Sequence, residues 1–363
     1  MTMIWRSIGF LAMGLLALSG VSCSGGGDGT KADSAATSRQ GDATSLEGAG
    51  ATFPEPLYTR WFQTYSQAHP GVQINYQAVG SGGGIKAIID RTADFGASDA
   101  AMTPDEMKKV DVGVQLIPMT AGSIVLAYNL EGVNELKLSP EAYAGIFLGK
   151  VTKWNDPLIA KTNAGVQLPA GDINVVVRAD SSGTTFVFTK HLSAVSPDFA
   201  NTVGANKRVD WPVGTQSKGN DGVAASIKAT QGSIGYMEYG YAQGSKLAMA
   251  KLQNKAGKFV EPTQASGRAA LASAELPKDL IVWVSNPEGE DSYPIVTFTW
   301  IICYKTYANA QKVKLLKDAL TYGLTEGQEF SGEMGYIPLP EAVVAKAKAA
   351  LDNIQAAGAG GKE

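Results

Sequence analysis

Behind three consecutive valines, Val175-Val176-Val177, the chain places Arg178, Asp180, Ser181, Ser182, Gly183 and Thr184 within seven residues. A guanidinium, a carboxylate, three hydroxyls and a glycine in that order suit the capture of an oxyanion. The valines read as a buried strand, and the apolar residues after Thr184 recur at helical spacing through Phe188 and Leu192. A strand therefore feeds a helix through a loop of donors. The first N–H groups of a helix lack internal partners and carry the positive end of its dipole, which favours an anion. Arg178 adds a planar fork able to bond two oxygens, and Asp180 is placed to hold that fork. An ordinary βα turn with a surface Arg–Asp pair fits the same fourteen residues.

Three further stretches carry residues of the same kind. In Gly48-Ala49-Gly50-Ala51-Thr52-Phe53-Pro54 a hydroxyl precedes a helical pattern through Leu57, Trp61, Phe62 and Tyr65. Thr52 can cap that helix, approach a ligand, or do both. Gly80-Ser81-Gly82-Gly83-Gly84 follows the strand-like Val72–Tyr76 and opens a helix through Ile85, Ile88 and Ile89. Asp99 follows Asp94-Phe95-Gly96-Ala97-Ser98, ahead of a helix start at Thr103-Pro104-Asp105-Glu106 with capping-box chemistry. It can face a pocket from a strand end or form an Asx-turn. A nucleotide P-loop is excluded: Gly145 to Lys150 is one residue short, and Val151 stands where Ser or Thr is needed.

The elements that must position these loops alternate. Further strands are expected at Ser123–Tyr128, Ser233–Glu238 and Tyr293–Tyr304, and further helices from Ser139-Pro140, from Gly219-Asn220-Asp221-Gly222 and from Pro340 through Ile354. Strands alternating with helices argue an α/β protein with largely parallel sheets. Ahead of them, residues 1–22 read as a signal peptide: Arg6, a short apolar core from Ile8 to Leu18, then small residues. Cys23 follows at a lipoprotein-like processing site, and 23–45 is a Gly/Ser/Asp-rich flexible tether with little to bury. The net charge of −3 gives no global attraction to nucleic acid or anionic membrane, so an anion site must be local.

Taken together, the four loops resemble those of the phosphate-binding protein of bacterial phosphate ABC importers, the PstS family. The resemblance runs from about Leu46 to Leu351 and includes Gly219-Asn220-Asp221-Gly222 and Ile234-Gly235-Tyr236. It implies a two-domain, hinged periplasmic-binding-protein fold, each domain a mostly parallel sheet flanked by helices, with inorganic phosphate in the cleft. Residues 46–122 and 292–363 would form a discontinuous first domain and 123–291 the second. The implied phosphate ligands are Thr52, Phe53 through its amide, Ser81, Asp99, Arg178, Ser182, Gly183 and Thr184, with Asp180 orienting the arginine. Ser181 stands where a Gly can occur, and Gly82 where a second Ser can. The implied partner is an inner-membrane ABC permease served by a monomer without cofactor or metal.

Two other functions compete. A phosphatase or serine hydrolase would use Ser98 or Ser182, but the chain has only two histidines: His69 precedes Pro70 in a loop, which suits a solvated role, and His191 lies on a helix, where a surface or core role is commoner than that of a base. No Cys/His cluster or H-E-x-x-H offers a metal. A surface protein that had lost its ligand would show broken loops, and these are intact.

Overall fold

The computed structural model describes residues 44–272 and 274–358. The expected signal peptide, Cys23 and nearly all of the expected tether lie outside them. The strand β1 (Thr44–Gly50) begins two residues before the expected start of the folded part, its Thr44 and Ser45 registering beside Val72 and Gln73. Then come α1 (Glu55–Ala68), β2 (Val72–Ala78), α2 (Ser81–Ile89), β3 (Phe95–Ser98) and the sixteen-residue β4 (Val114–Asn129). The second half of the chain supplies β5 (Asn174–Arg178), α3 (Gly183–Val195), β6 (Thr215–Ser217), α4 (Gly219–Ala229), β7 (Ser233–Glu238) and β8 (Val296–Tyr304). Two helices near the end, α5 (Ala310–Leu324) and α6 (Glu341–Leu351), complete the frame.

The strands follow the order β2-β1-β3-β8-β4-β7-β5-β6. The outer pairs β2–β1–β3 and β7–β5–β6 are parallel, as expected of βα units. The joining pairs β3–β8, β8–β4 and β4–β7 are antiparallel, so each half is mixed rather than mostly parallel. One strand serves both halves. From Val114 to Ser123, β4 pairs with β8, and from Ile124 to Asn129 it pairs with β7. Its 114–122 portion was not anticipated, because Pro118 and Gly122 interrupt the β-branched pattern. Pro118 is tolerated at a bulge: Thr299 faces Thr120 while Trp300 faces Pro118, leaving Met119 as the extra residue.

Aromatic packing anchors this frame. Trp61 of α1 is buried, and its indole N–H donates to Gly327 O at 2.6 Å. Burying such a side chain stabilises by about 1.5–3 kcal/mol. The last helix stops at Leu351 rather than at Ile354. Gln355 N and Ala357 N instead donate to the carbonyls of Lys305 and Tyr307, a ladder that outweighs continued helical spacing. No helix among the described residues is long and apolar enough to cross a membrane.

Close backbone approach sets α2 against the sheet. A Cβ on Gly84 would lie 2.6 Å from Gly50 Cα and 2.7 Å from the Ala49 and Ala97 carbonyl oxygens. Backbone cannot swing aside, so Gly84→Ala is expected to destabilise by about 1–3 kcal/mol, the usual range for overpacking. Urea unfolding measures it; an unchanged midpoint would show that the helix can slide outward freely.

Candidate functional site

Four helix starts meet where the two halves of the sheet face one another. Thr52 and Phe53 precede α1, and Ser81 is the first residue of α2. Ser182 caps α3, whose first residues are Gly183 and Thr184, and Asn220 lies in the first turn of α4. All of these residues are buried, as are Asp99 and Arg178. The structure brings Thr52, Arg178, Asp180 and Thr184 together and sets Ser81 and Asp99 against Gly183, from loops at the ends of β1, β2, β3 and β5, with Phe53 and Ser182 next to them in the chain.

The arginine is fixed from behind and used in front. Its Nε donates to Asp180 Oδ1 at 2.8 Å and its Nη2 to Oδ2 at 2.6 Å, the bidentate fork foreseen from sequence. Nη2 also donates to Thr52 Oγ1 at 3.1 Å, and Nη1 to Thr184 Oγ1 at 3.3 Å. Gly219 N donates to Asp180 Oδ1 at 3.1 Å. Burial works against the Asp180 charge, but the guanidinium and this amide hold its carboxyl below the usual range. Tyr236 OH accepts Arg178 N at 3.2 Å and bonds Thr185 Oγ1 at 2.7 Å, tying β5 to α3.

Asp99 sits across from this cluster. Its Oδ1 accepts from Thr299 Oγ1 at 2.8 Å, a hydroxyl on β8 opposite the β4 bulge. Its Oδ2 lies 3.5 Å from Ser81 Oγ, which accepts Asp99 N at 3.2 Å. Burial pushes the Asp99 carboxyl up to about 7, against the Thr299 and Ser81 hydroxyls and the Arg178 charge. A Cβ on Gly183 would lie 2.4 Å from Ser81 Oγ and 2.6 Å from Asp99 Oδ2. The start of α3 is thus pressed against the Ser81 loop, and only glycine fits there.

Other contacts also cross between the halves. Gly82 N donates to Ser181 O at 2.9 Å, and a Cβ on Gly82 would meet Ser181 Oγ at 2.1 Å. The two departures from the family pattern therefore meet each other, a missing side chain at 82 making room for the hydroxyl at 181. Tyr241 OH donates to Thr52 O at 2.6 Å. Lys207 Nζ reaches Glu106 Oε1 at 2.8 Å, with both side chains mostly buried. An open cavity of about 410 Å³ lined in part by Glu55, Asp180, Lys218 and Tyr241 reaches Thr52 from solvent.

Hydroxyls, helix-start amides and one guanidinium, with a single acceptor opposite, can hold a tetrahedral oxyanion that carries a proton. The arrangement does not assemble a serine nucleophile. Ser182 Oγ accepts Thr185 N at 3.0 Å, and Ser98 Oγ bonds the Ala100 backbone. His191 Nε2 is 2.8 Å from Tyr143 OH, and burial pushes its imidazole down to about 3. His69 Nδ1 is 2.8 Å from Tyr65 O. Among the described residues no group of three or more His, Cys, Asp or Glu side chains could hold a metal ion.

Sequence reasoning missed Asn220 and Glu238. The first stood inside a quoted motif but had no role; its partners lie 36 and 168 residues away, beyond any local pattern. Glu238 ends β7 and is fully buried, with Oε2 accepting Gly240 N at 2.8 Å and Oε1 without a hydrogen-bond partner. Burial pushes its carboxyl up to about 8, helped by Asp99 nearby and opposed by the Gly240 and Tyr241 amides.

A model of the PBP superfamily domain matches residues 35–324. The phosphate-binding protein PstS of Pasteurella multocida is 43% identical over 311 residues, covering 85% of this chain and 90% of that protein. The chain belongs to the PstS phosphate-binding protein family. PstS of Methanocaldococcus jannaschii is 38% identical over 319 residues, covering 81% of this chain and 82% of that one. Among solved structures, a phosphate-binding protein from Stenotrophomonas maltophilia superposes with TM-score 0.70 at 23% identity, over 84% of this chain and 93% of its own. The high-affinity periplasmic phosphate-binding protein PfluDING, bound with phosphate, gives 0.69 at 22% over the same shares. These likenesses establish for this PstS family member the two-domain binding-protein fold.

A buried carboxyl raised above its ordinary value binds its proton more tightly in the folded chain. Stability is then full at low pH and falls as pH rises from the unfolded value, about 4.3, through about 8 for Glu238. Glu238→Gln removes that contribution. In urea unfolding at pH 5 and pH 8 the variant should gain on the wild type by up to about 1.4 kcal/mol for each pH unit. Parallel pH profiles would show that Glu238 ionises freely in the folded protein.

Proposed function

We propose that this chain binds inorganic phosphate between its two domains and passes it to a membrane ABC permease, without catalysing a reaction. The observation that supports the reading is the clustering of Arg178, Thr52 and Thr184 with the Ser81 and Gly183 helix starts beside one buried carboxyl, Asp99. Thr52, the Phe53 amide, Ser81, Arg178, Ser182, Gly183 and Thr184 would serve the unprotonated oxygens, and Asp99 would take the ligand proton. Hydrogen bonds to a charged group contribute about 1.5–3 kcal/mol each, enough in number to offset desolvation of the anion.

The division into 46–122 with 292–363, and 123–291, is supported by the change of partner along β4 at Ser123/Ile124 and by β8 returning from Val296. Ligand contacts drawn from both sides would favour the closed arrangement. Export by residues 1–22 and lipidation at Cys23, placing the protein in the periplasm or on the cell surface, complete the proposal. Mass analysis of the mature N-terminus tests this, and an unprocessed Met1 refutes it.

Titration calorimetry of ligand-stripped protein should give heat with phosphate, and the radius of gyration by scattering should fall on binding. Arg178→Ala should weaken phosphate binding more than Thr52→Ala or Ser81→Ala, because it removes a charge and strands Asp180 beside the anion. No heat with phosphate would sink the function; equal losses in the three variants would make Arg178 peripheral.

Asp99 should decide between phosphate and sulfate. An ionised carboxylate only accepts, and sulfate near neutrality has no proton to give. Sites built around a ligand hydrogen bond reject an analogue lacking it by about 10⁴–10⁵. With its carboxyl raised to about 7, Asp99 should exclude sulfate above that pH and lose discrimination below it. Asp99→Asn should admit sulfate throughout. Competition of sulfate against labelled phosphate at pH 5.5 and 8.5 measures both; a variant that binds phosphate yet ignores sulfate refutes the assignment.

A further inference from the structure

Two threonine hydroxyls from opposite halves of the molecule share the same pair of donors. Thr52 Oγ1 receives Arg178 Nη2 at 3.1 Å and Asn220 Nδ2 at 2.9 Å, with Asn220 N at 3.3 Å. Thr184 Oγ1 receives Arg178 Nη1 at 3.3 Å and Asn220 Nδ2 at 3.4 Å. Asn220 is fully buried, and its Oδ1 accepts Glu238 N at 3.1 Å. That bond decides the amide's orientation: the oxygen faces β7 and the NH₂ faces the threonines.

A hydroxyl has one proton and two acceptor lone pairs. Where a guanidinium and an amide occupy both lone pairs, the proton has to point elsewhere and is left to donate to another acceptor. Resting on the phosphate reading, we propose that Asn220 is a positioning residue that commits the hydroxyls of Thr52 and Thr184 to donate to the anion. Without it each hydroxyl keeps one bond, from Arg178, and its proton has a wider choice of directions to give up on binding. Thr52 belongs to the β1–α1 loop and Thr184 to α3, so the amide completes its bonds only when the two halves are together. Its effect on binding therefore passes through both threonines and through closure.

Asn220 could instead simply tie α4 to β7, and a double-mutant cycle separates the two roles. Calorimetry with inorganic phosphate is run on the full chain, as wild type, Asn220→Leu, Thr52→Val/Thr184→Val and the triple variant. Asn220→Leu should weaken binding about tenfold or more in the wild type, yet less than twofold once the hydroxyls are gone. Equal losses in both backgrounds, or none in either, overturn the proposal. Wild type that binds no phosphate sinks the functional reading and this inference with it, whereas a binding wild type with an additive cycle sinks the inference alone.

Should Asn220→Leu fail to fold, as judged by its ligand-free melting curve, Asn220→Asp decides. Its carboxylate would accept from the threonines, turn their protons away from the ligand and add negative charge beside it. Phosphate affinity should fall over 100-fold relative to wild type at pH 8 and recover as the introduced acid protonates and donates again. Asp99, Asp180, Asp221, Glu238, Lys218 and Arg178 face this region in both proteins, so the variant is compared with wild type at each pH. A deficit independent of pH overturns the proposal.

Discussion

The site depends on a buried guanidinium held flat by a mostly buried carboxylate. Arg178 and Asp180 are two residues apart at the end of β5, and their fork is almost closed to solvent. Taking two charges out of water costs several kcal/mol each, which mutual attraction offsets only with good geometry and further hydrogen bonds. Both conditions are met here. Two N–H groups meet two carboxylate oxygens, the Gly219 amide serves one of those oxygens, and two of the three remaining guanidinium hydrogens go to Thr52 and Thr184. The loops after β1 and β5 and the start of α4 must therefore sit where this pair allows them.

One consequence is electrical. Asp180 offsets Arg178, and burial holds Asp99 and Glu238 near or above neutrality in their preference for protons. The cavity offers little net positive charge to an anion. Attraction is left to oriented dipoles: hydroxyls, helix starts and amides, whose directions carry shape and proton count rather than charge alone. On the proposed reading, such a site would separate ligands of equal charge by whether they can give a proton to Asp99.

The frame meets these demands with strand geometry. β4 belongs to both halves, and the bulge opposite Thr299 presents that hydroxyl to Asp99. Glycines at 84 and 183 allow α2 and α3 to approach the loops they face more closely than any side chain would permit. Among the described residues β4 is the long strand shared by the two halves, pairing with β8 up to Ser123 and with β7 from Ile124.

Local chemistry made much of this legible from residues alone. The valine run, the helical spacing after Thr184, the Thr103 capping box and the Arg178–Asp180 fork are interactions within a few residues, and family-like spacing joined the loops into one site. What tertiary structure alone decided involves long separations. Asn220 meets Thr52 across 168 residues, and Thr299 meets Asp99 across 200. Glu238 looked like any strand-end carboxylate until packing buried it. The last helix stopped short because carbonyls of Lys305 and Tyr307 competed for its amides. In each case the partner group is absent from the local window, so no periodicity or cap could reveal it: sequence sets the chemistry each loop can offer, and packing sets which offers meet.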